Sequence, residues 1–397
     1  MRIVLYGLYR RRAGTVTQQA LCFKPPPFDT LSVFPDYIDM QPKILFIPVS
    51  SPKGIGEYMR SLAIAQALKP KMGEHSIAFV LSEQAPYIED CPFTVYRCPS
   101  SPTKHSDLVK RYIDEFCPNI VIFDASGRVS QFRHAKKNGA HTIFIAQHTK
   151  KLIKGLGLRR LPSTDQIWFV QPKYALPSLG IWSKLKLSVF RQTNLKVIGP
   201  IFQQPNPEEV TQILSELNLQ KEGFILINSG SGGHKVNGVL AAETFSQAGR
   251  LFAETTEQKV VIVYGPNFPD DIPDKLPDTL PNCVYIRSLS QARFTALLSV
   301  AQGAILGGGS ALFQAISFST PTVTCAISKD QNERIDHYLS ETKTEEGLVR
   351  KSELNSQILS NHLAQLLHSK PINTRSHIKS GLDVACHEIY SLFNEKR

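Results

Sequence analysis

The chain has 397 residues, of which 42% are apolar and 20% charged, and its formal net charge is +11. This length exceeds the size at which a single hydrophobic core usually stops growing, so we expect two domains. No run of 18 apolar residues occurs, which argues against a membrane-spanning helix. The seven cysteines are scattered without a C-x-x-C pair, a pattern atypical of zinc sites and disulfide frameworks. We therefore expect a cytoplasmic protein.

The positive charge is concentrated in the first half of the chain. Residues 1–200 contain 28 basic and 13 acidic residues, a net charge of +15, whereas the remainder carries −4. The segments KKLIKGLGLRR and IWSKLKLSVFRQTNLK mix cations with large apolar residues, so residues 150–196 predict a surface for an anionic membrane. A solvated basic face would have the same composition. We expect no nucleic-acid partner, because no recognition-helix or RNA-binding signature is present.

The first 40 residues differ from the rest of the sequence. They show no sustained hydrophobic period and include three consecutive prolines at 25–27. Their basic residues follow the short apolar stretch, which is atypical of a secretory signal. We interpret 1–40 as an irregular extension, with Met40 as an alternative start.

From residue 41, apolar runs alternate with segments of helical period. The runs that favour buried parallel strands are KILFIPVS, SIAFVLS, NIVIFD, HTIFIAQH, QIWFV and LKVIGP. Helical spacing occurs between several of them, for example in GEYMRSLAIAQALK and LVKRYIDEF. This alternation predicts a Rossmann-like domain over 41–200. The proline-containing FQQPNPEE then predicts a linker at 201–209.

The alternation restarts in the second half. Predicted strands are GFILINSG, KVVIVYG, CVYIRSL, GAILG and PTVTCAI, and predicted helices are NGVLAAETFSQAGRLFAET, ARFTALLSVAQ and SALFQAISFS. We expect a second Rossmann-like domain over 210–370 and a C-terminal helix within 371–397. The predicted class is therefore α/β, with two doubly wound parallel-sheet domains facing each other across a cleft. Ligands of such sheets bind at the carboxyl ends of the strands.

Three strand-to-helix turns in this pattern are rich in glycine: PKGIGEY (52–58), NSGSGGHKVN (228–237) and GGGSA (307–311). Glycine lets the backbone approach a ligand, and the helix that follows presents its positive end to phosphate. The turns therefore predict a diphosphate site, although tight turns also use glycine for packing alone. The G-x-x-x-x-G-K-[ST] loop is absent and G-x-G-x-x-G is incomplete, which argues against ATP hydrolysis and hydride transfer.

Taken together, these segments resemble GT-B glycosyltransferases of the MurG type, which add N-acetylglucosamine to lipid-linked acceptors. They also resemble nucleotide-sugar hydrolases of the PseG type, which share that fold. GIGEYMRSLAIAQAL is similar to the family's first turn and helix, and HTIFIAQHTK to the segment before its H-E-Q-N motif. LINSGSGGHKVN resembles the second turn, and LGGGSALFQAISFSTPTVTCAISKDQNER the donor-site signature. The resemblance extends from residue 43 to about 345.

The resemblance implies a metal-independent, cofactor-free glycosyltransferase of the hexosyl type. Its donor would be a nucleotide sugar, with UDP as the expected nucleotide, bound by the C-terminal half. Its acceptor would be a glycan or lipid-linked precursor in cell-envelope polysaccharide synthesis, handled at the inner face of the membrane. One alternative is a nucleotide-sugar hydrolase. The other is a non-catalytic sugar-nucleotide-binding partner protein, because two family residues, a His and a Glu, are replaced.

The resemblance also implies which residues hold the donor. These are Gly54, Gly56, Ser231, Gly232, Gly233, His234, Asn237, Gly308, Gly309, Ser310, Gln314, Asp330 and Gln331. Gln314 replaces the Glu that binds the ribose, and Arg334 replaces the closing Asn of the signature. His234 is also consistent with a solvent-facing loop residue, and Asp330 and Gln331 with a polar helix start.

Three residues are candidates for catalysis. Glu57 occupies the position of the family's first-turn histidine, where a general base would contribute about 10²–10⁴-fold to the rate. Asp124 ends a predicted strand and resembles the Asp that some glycosyltransferases pair with their base, and His148 could touch acceptor or base. The alternatives are structural: Glu57 opposite the helix dipole, Asp124 as a helix cap, and His148 as a turn residue satisfied by the backbone.

Overall fold

The computed structural model describes residues 42–49, 55–269, 280–328, 331–332, 335–336, 347–368 and 378–394. Gly54, Asp330, Arg334 and the extension 1–40, which figure in the sequence-based predictions, lie outside these residues.

The N-terminal half is built on a parallel sheet of seven strands in the order β3-β2-β1-β4-β5-β6-β7. The strands are β1 Ile44–Pro48, β2 Ile77–Ser82, β3 Thr94–Cys98, β4 Ile120–Asp124, β5 His141–Ala146, β6 Gln166–Phe169 and β7 Asn194–Val197. The helices are α1 Gly56–Met72, α2 Ser106–Phe116, α3 Val129–Lys137, α4 Thr149–Gly155 and α5 Ile181–Val189. Successive β1 residues enter two separate cores: Ile44 and Phe46 face α1, whereas Leu45 and Ile47 face α2 to α4. Burial on both faces explains the uninterrupted apolar runs.

The C-terminal half has a parallel sheet of six strands in the order β12-β11-β8-β13-β14-β15. Its strands, with a separate hairpin β9–β10, are β8 Phe224–Asn228, β9 Lys235–Val236, β10 Val239–Leu240, β11 Lys259–Val263, β12 Cys283–Ile286, β13 Gly303–Gly307, β14 Thr322–Cys325 and β15 Leu348–Val349. The helices are α6 Pro207–Glu216, α7 Ala241–Thr255, α8 Gln291–Val300, α9 Ser310–Phe318, α10 Ser356–His368 and α11 Leu382–Asn394. The predicted class, α/β with two Rossmann-like parallel sheets, is confirmed.

Two local predictions differ from the structure. Strand β3 was not predicted, because as an edge strand it buries fully only Cys98 and its sequence TVYRC has no apolar run. The helix expected from Asn237 begins instead at Ala241. Asn237 and Gly238 have φ values of 52° and 86° and form the two-residue turn of the β9–β10 hairpin, for which Asn-Gly is a strong signal.

The last helix connects the end of the chain to the N-terminal half. Ala385 and Ile389 of α11 are buried in the same core as α1. Glu388 of α11 accepts hydrogen bonds from Lys196 Nζ at 2.6 Å and Gln166 Nε2 at 3.2 Å. The C-terminal helix therefore packs on the first sheet rather than on the second. Within the described residues, no helix combines the length and apolar character needed to cross a bilayer.

Candidate active site

Each sheet has a topological switch point, where two neighbouring strands are followed by loops that leave in opposite directions. In the first sheet this point lies between β1 and β4, and in the second it lies between β8 and β13. Pro48 at the end of β1 pairs with Asp124 at the end of β4, and Asn228 of β8 pairs with Leu306 of β13. Because ligands of open α/β sheets bind at these crevices, the two switch points locate the candidate site.

At the first switch point, Asp124 is completely buried and bound to α1. Its Oδ2 accepts hydrogen bonds from Arg60 Nε at 2.9 Å and Ser61 Oγ at 3.2 Å, and its Oδ1 accepts one from an Arg60 guanidinium NH₂ at 2.5 Å. Burial raises the pKa of Asp124 to about 6, and the Arg60 charge opposes that rise. Asp124 therefore fixes the Arg60 guanidinium and has no exposed surface with which to touch a substrate.

A chain of hydrogen bonds leads from Asp124 to Glu57. The same Arg60 NH₂ donates to Gln147 Oε1 at 3.0 Å, and Gln147 Nε2 donates to Glu57 Oε1 at 2.8 Å. Gln147 is oriented by Arg60, because its carbonyl oxygen must face the guanidinium and its NH₂ must then face the carboxylate. Glu57 Oε2 accepts no hydrogen bond from the described residues, so this oxygen can accept a further one.

The structure places the three catalytic candidates in different surroundings. Asp124 does not bond to Glu57 directly but is linked to it by hydrogen bonds through Arg60 and Gln147, neither of which was assigned a role from the sequence. The available signals were the arginine near the start of α1 and the glutamine that ends HTIFIAQ. His148 is the N-cap of α4, where its Nδ1 accepts from the Lys151 amide at 3.4 Å. The structure thus gives His148 a capping role and brings its neighbour Gln147 to Glu57.

The second glycine-rich turn, which follows β8, is held by Asn228. Asn228 Nδ2 donates to the carbonyls of Val263 at 2.8 Å and Gly230 at 3.1 Å, and its Oδ1 accepts from the Gly230 amide at 2.9 Å. A Cβ on Gly232 would lie 2.6 Å from the Tyr264 carbonyl oxygen, so packing alone requires glycine there. A Cβ on Gly230 would meet nothing within 4 Å. Room for a ligand is therefore present at Gly230.

The other residues predicted in this turn support its conformation. The Ser231 carbonyl accepts from the Asn267 amide at 2.8 Å, and a Cβ on Gly233 would approach Asn267 at 3.3 Å. The His234 carbonyl accepts from the first amide of α7, and the exposed Asn237 is the hairpin turn residue described above. The contacts described for Ser231, Gly233, His234 and Asn237 therefore all stabilise the local fold of the turn.

The third turn, after β13, presents a helix N-terminus. The Gly308 amide donates to the Cys325 carbonyl at 3.1 Å and the Gly309 amide to the Gly307 carbonyl at 2.7 Å, so neither amide is free for phosphate. The amides of Ser310 and Ala311 open α9 and have no partner among the described residues. Ser310 is exposed. The candidate anion cradle in this turn is therefore the start of α9 rather than the glycine amides.

Two glutamines flank this helix start in different ways. Gln331 is buried, its Oε1 accepts from the Ile327 amide at 2.9 Å, and its Nε2 would lie 3.9 Å from a Cβ on Gly309. Its NH₂ group thus borders the cradle. Gln314 is also buried, but its Oε1 accepts from Thr295 Oγ1 of α8 at 3.3 Å. The Gln331 NH₂ group therefore lies beside Gly309, whereas the Gln314 carbonyl oxygen accepts a hydrogen bond within the protein.

Two polar groups beside these turns are buried and have no hydrogen-bond partner among the residues that the structure describes. Ser229 Oγ is one, and the Ser229 carbonyl oxygen would be 2.6 Å from a Cβ on Gly307, which places the residue between the second and third turns. The Asn267 side-chain amide is the other, at the second turn. An unsatisfied buried polar group costs about 1–3 kcal/mol, which a polar ligand bound there would offset. In the part of the chain that the structure describes, no cluster of three or more His, Cys, Asp or Glu side chains could hold a metal ion.

No protein-family model matches the chain, and no curated protein matches its sequence. Solved structures do match it over nearly their whole length. The calicheamicin glycosyltransferase CalG4 superposes with a TM-score of 0.56 at 15% identity, covering 90% of this chain and 99% of that one. UGT89C1 of Arabidopsis thaliana, complexed with UDP-L-rhamnose, gives 0.60 at 11% identity, covering 89% and 100%. MurG of Acinetobacter baumannii gives 0.50 at 11%, covering 88% and 100%.

The protein has the GT-B fold. This confirms the fold that the sequence resemblance implied. Identities of 15% or less establish the fold alone, so the closer relation to MurG-type enzymes stays a prediction.

Proposed function

We propose that the protein is a glycosyltransferase that uses a nucleotide-sugar donor, with UDP as the expected nucleotide. The observation that carries this proposal is the pairing of two unlike sites at the switch points of one GT-B fold. One site presents the carboxylate of Glu57, oriented by Gln147. The other presents the unpaired amides of Ser310 and Ala311 beside Gly309, whose Cβ position is open. A base and an anion cradle are what sugar transfer from a diphosphate requires.

In the proposed reaction, Glu57 takes the proton from the acceptor hydroxyl as its oxygen attacks the anomeric carbon. The bond from that carbon to the diphosphate breaks, and negative charge grows on the leaving phosphate oxygens. The amides of Ser310 and Ala311, the Ser310 hydroxyl and the positive end of α9 would stabilise this charge. UDP and UDP-L-rhamnose in the structures of UGT89C1 support UDP as the nucleotide.

A binding experiment tests the donor site. UDP, CMP, GDP and TDP, with their sugars, would be compared by thermal shift on wild type and Ser310→Ala. A ligand at a hundredfold excess over its dissociation constant stabilises by about 2.7 kcal/mol, so a real site is visible. A shift with one nucleotide, weakened in Ser310→Ala, supports the proposal, and no shift with any of them contradicts it.

Turnover then separates transfer from the two alternatives. Nucleoside diphosphate release that depends on an added glycan or lipid-linked acceptor supports transfer. Free sugar released without acceptor would instead show the hydrolase, and binding without turnover would show a non-catalytic partner protein. Glu57→Gln should abolish turnover and leave nucleotide affinity unchanged.

We also propose that the acceptor is met at an anionic membrane surface, at the inner face of the membrane. Helix α5 contains no buried residue, and Ile181, Leu185 and Val189 form an exposed stripe at i, i+4 and i+8. Trp182 beside them is 75% exposed. Lysines at 184 and 186 flank this stripe, which is the composition of a helix lying in a lipid interface. Trp182→Ser should weaken flotation with anionic vesicles, and unchanged flotation would contradict the membrane contact.

A further inference from the structure

A cavity of about 480 Å³ lies on the helical face of the N-terminal half, outside the candidate active site. Its lining comes from α2, α3 and the segment after α4: Lys110, Val129, Ser130, Arg133, His134, Lys137 and Arg159. The Glu57 network contributes no residue to it. The cavity is wide open to solvent, and its volume is comparable with that of small-ligand pockets, roughly 300–1,000 Å³.

The charges around this cavity are unbalanced. Lys110 is paired with Asp107 at 2.9 Å, and His134 with Asp114 at 2.7 Å. Arg133, Lys137 and Arg159 have no acidic partner among the described residues. Three unpaired cations that converge on one cavity repel one another, and an anion between them would remove that repulsion. Two of the three are arginines, whose planar guanidinium groups match phosphate oxygens in pairs.

The position of Arg159 connects the cavity to the exposed apolar residues. Leu158 precedes Arg159 in the chain and is exposed, as is Ile153 of α4. Helices α2 to α5 all pack on the same face of the sheet, so the cavity and the α5 stripe lie on one side of the molecule. A ligand with a phosphate headgroup and an apolar tail would satisfy both features, whereas a free anion would use only the cavity.

We propose that this cavity binds the phosphate headgroup of an anionic membrane lipid. The proposal rests on the membrane contact proposed above but not on the glycosyltransferase reaction. The three unpaired cations hold the phosphate, Ser130 adds a hydroxyl, and Leu158 and Ile153 enter the acyl region. Bound lipid would then fix the orientation of the N-terminal half on the surface, beyond what general attraction of its positive charge provides.

The test measures binding to vesicles of phosphatidylcholine alone and to vesicles that also contain phosphatidic acid. The pocket variant is Arg133→Gln/Lys137→Gln/Arg159→Gln. It should bind the phosphatidic acid vesicles at least about tenfold more weakly than wild type, since each basic residue near the surface contributes about 1 kcal/mol. Its thermal shift with nucleotides should equal that of wild type, because none of the three lies in the donor site.

A control variant with the same change in charge is Lys104→Gln/Lys221→Gln/Lys235→Gln, in which all three lysines are exposed and outside the cavity. It should retain vesicle binding within about threefold of wild type. Equal losses in the two variants would show general charge attraction and overturn the proposal. Binding of soluble glycerol phosphate without vesicle binding would also overturn it, because the ligand would then be a free phosphate compound. If the protein shows no transferase activity but the pocket variant alone loses vesicle binding, the lipid proposal stands and only the proposed reaction is refuted.

Discussion

Gln147→Met tests whether Gln147 positions the base. Methionine has a similar length and volume but removes the amide, so the hydrogen bonds to Arg60 at 3.0 Å and Glu57 at 2.8 Å are both lost. The backbone at 147 should stay in place, because its carbonyl still accepts from Gln171 Nε2 at 2.5 Å. Asp124 also keeps its two bonds to Arg60. The variant should therefore fold while Glu57 loses its orienting partner.

The size of the effect follows from the lost contact. A hydrogen bond to a charged group contributes about 1.5–3 kcal/mol, and 1.36 kcal/mol corresponds to tenfold in rate. We expect kcat to fall by about 10- to 150-fold if the bond serves only to orient Glu57. Nucleotide affinity should not change, because the donor turns belong to the other half of the molecule. The assay is the initial rate of nucleoside diphosphate release, with thermal shift to measure donor binding.

A matched control is Gln212→Met. Gln212 Nε2 donates to Glu216 Oε1 at 2.8 Å, which is the same pair of groups at the same distance, but on the exposed helix α6. This variant should keep the wild-type rate. A rate for Gln147→Met within twofold of wild type, while Glu57→Gln is inactive, would refute the positioning role. Wild-type rates in both Gln147→Met and Glu57→Gln would refute Glu57 as the base.

Three further predictions concern pH and the glycine turns. Because the pKa of Asp124 in the fold, about 6, exceeds its ordinary value of 3.8, the folded state binds this proton more tightly, and the free energy of unfolding should fall as pH rises from about 4 to 6. Denaturation at both pH values should show this loss, up to about 3 kcal/mol, in wild type and not in Asp124→Asn. Gly232→Ala should lower the free energy of unfolding by about 1–3 kcal/mol, and by more than Gly230→Ala does. Both glycines have a positive φ, but only at Gly232 is there no space for a Cβ. Equal free energies of unfolding for the two variants would contradict this. Gly309→Ala should keep the wild-type melting temperature, because the φ of Gly309 is −81° and its Cβ position is open. The added methyl group would enter the cradle and should weaken nucleotide binding about tenfold. Unchanged nucleotide affinity in a titration would count against the cradle.

The architecture was readable from the sequence because hydrophobic periodicity reports burial directly. A strand such as β1 is covered on both faces, so all five residues are apolar or proline and the run stands out. Helix and strand periods then alternate, and alternation restricts the sheet to parallel strands with crossover helices. Elements that are only partly buried carried no such signal. Strand β3 at the sheet edge and the β9–β10 hairpin were missed for that reason.

The glycine-rich turns at the ends of β8 and β13 were also predicted from the sequence, since glycine clusters after strands are local features. The sequence did not predict which of their glycines are required by packing and which amides are already hydrogen-bonded. Gly232 and Gly307 are required by the carbonyls of Tyr264 and Ser229, and those contacts join segments far apart in the chain. The amides of Gly308 and Gly309 are engaged by neighbouring carbonyls, so the free donors begin one residue later than the motif suggests.

From the sequence alone, the predicted strands are followed by glycine, acidic or amide residues. The sequence also predicts that Glu57 and Asp124 lie at the same edge of one sheet. Only the tertiary structure decided how these two carboxyl groups are related. Asp124 lies 67 residues from Glu57 in the chain and is fully buried. Arg60 shares helix α1 with Glu57, whereas Gln147 follows β5, a third element. Whether a carboxylate is buried against a guanidinium or left with a free oxygen depends on neighbours that no local pattern specifies. The physical reason is that hydrogen bonding and desolvation depend on residues that are close in space, whereas hydrophobic periodicity reports only on residues that are close in the sequence.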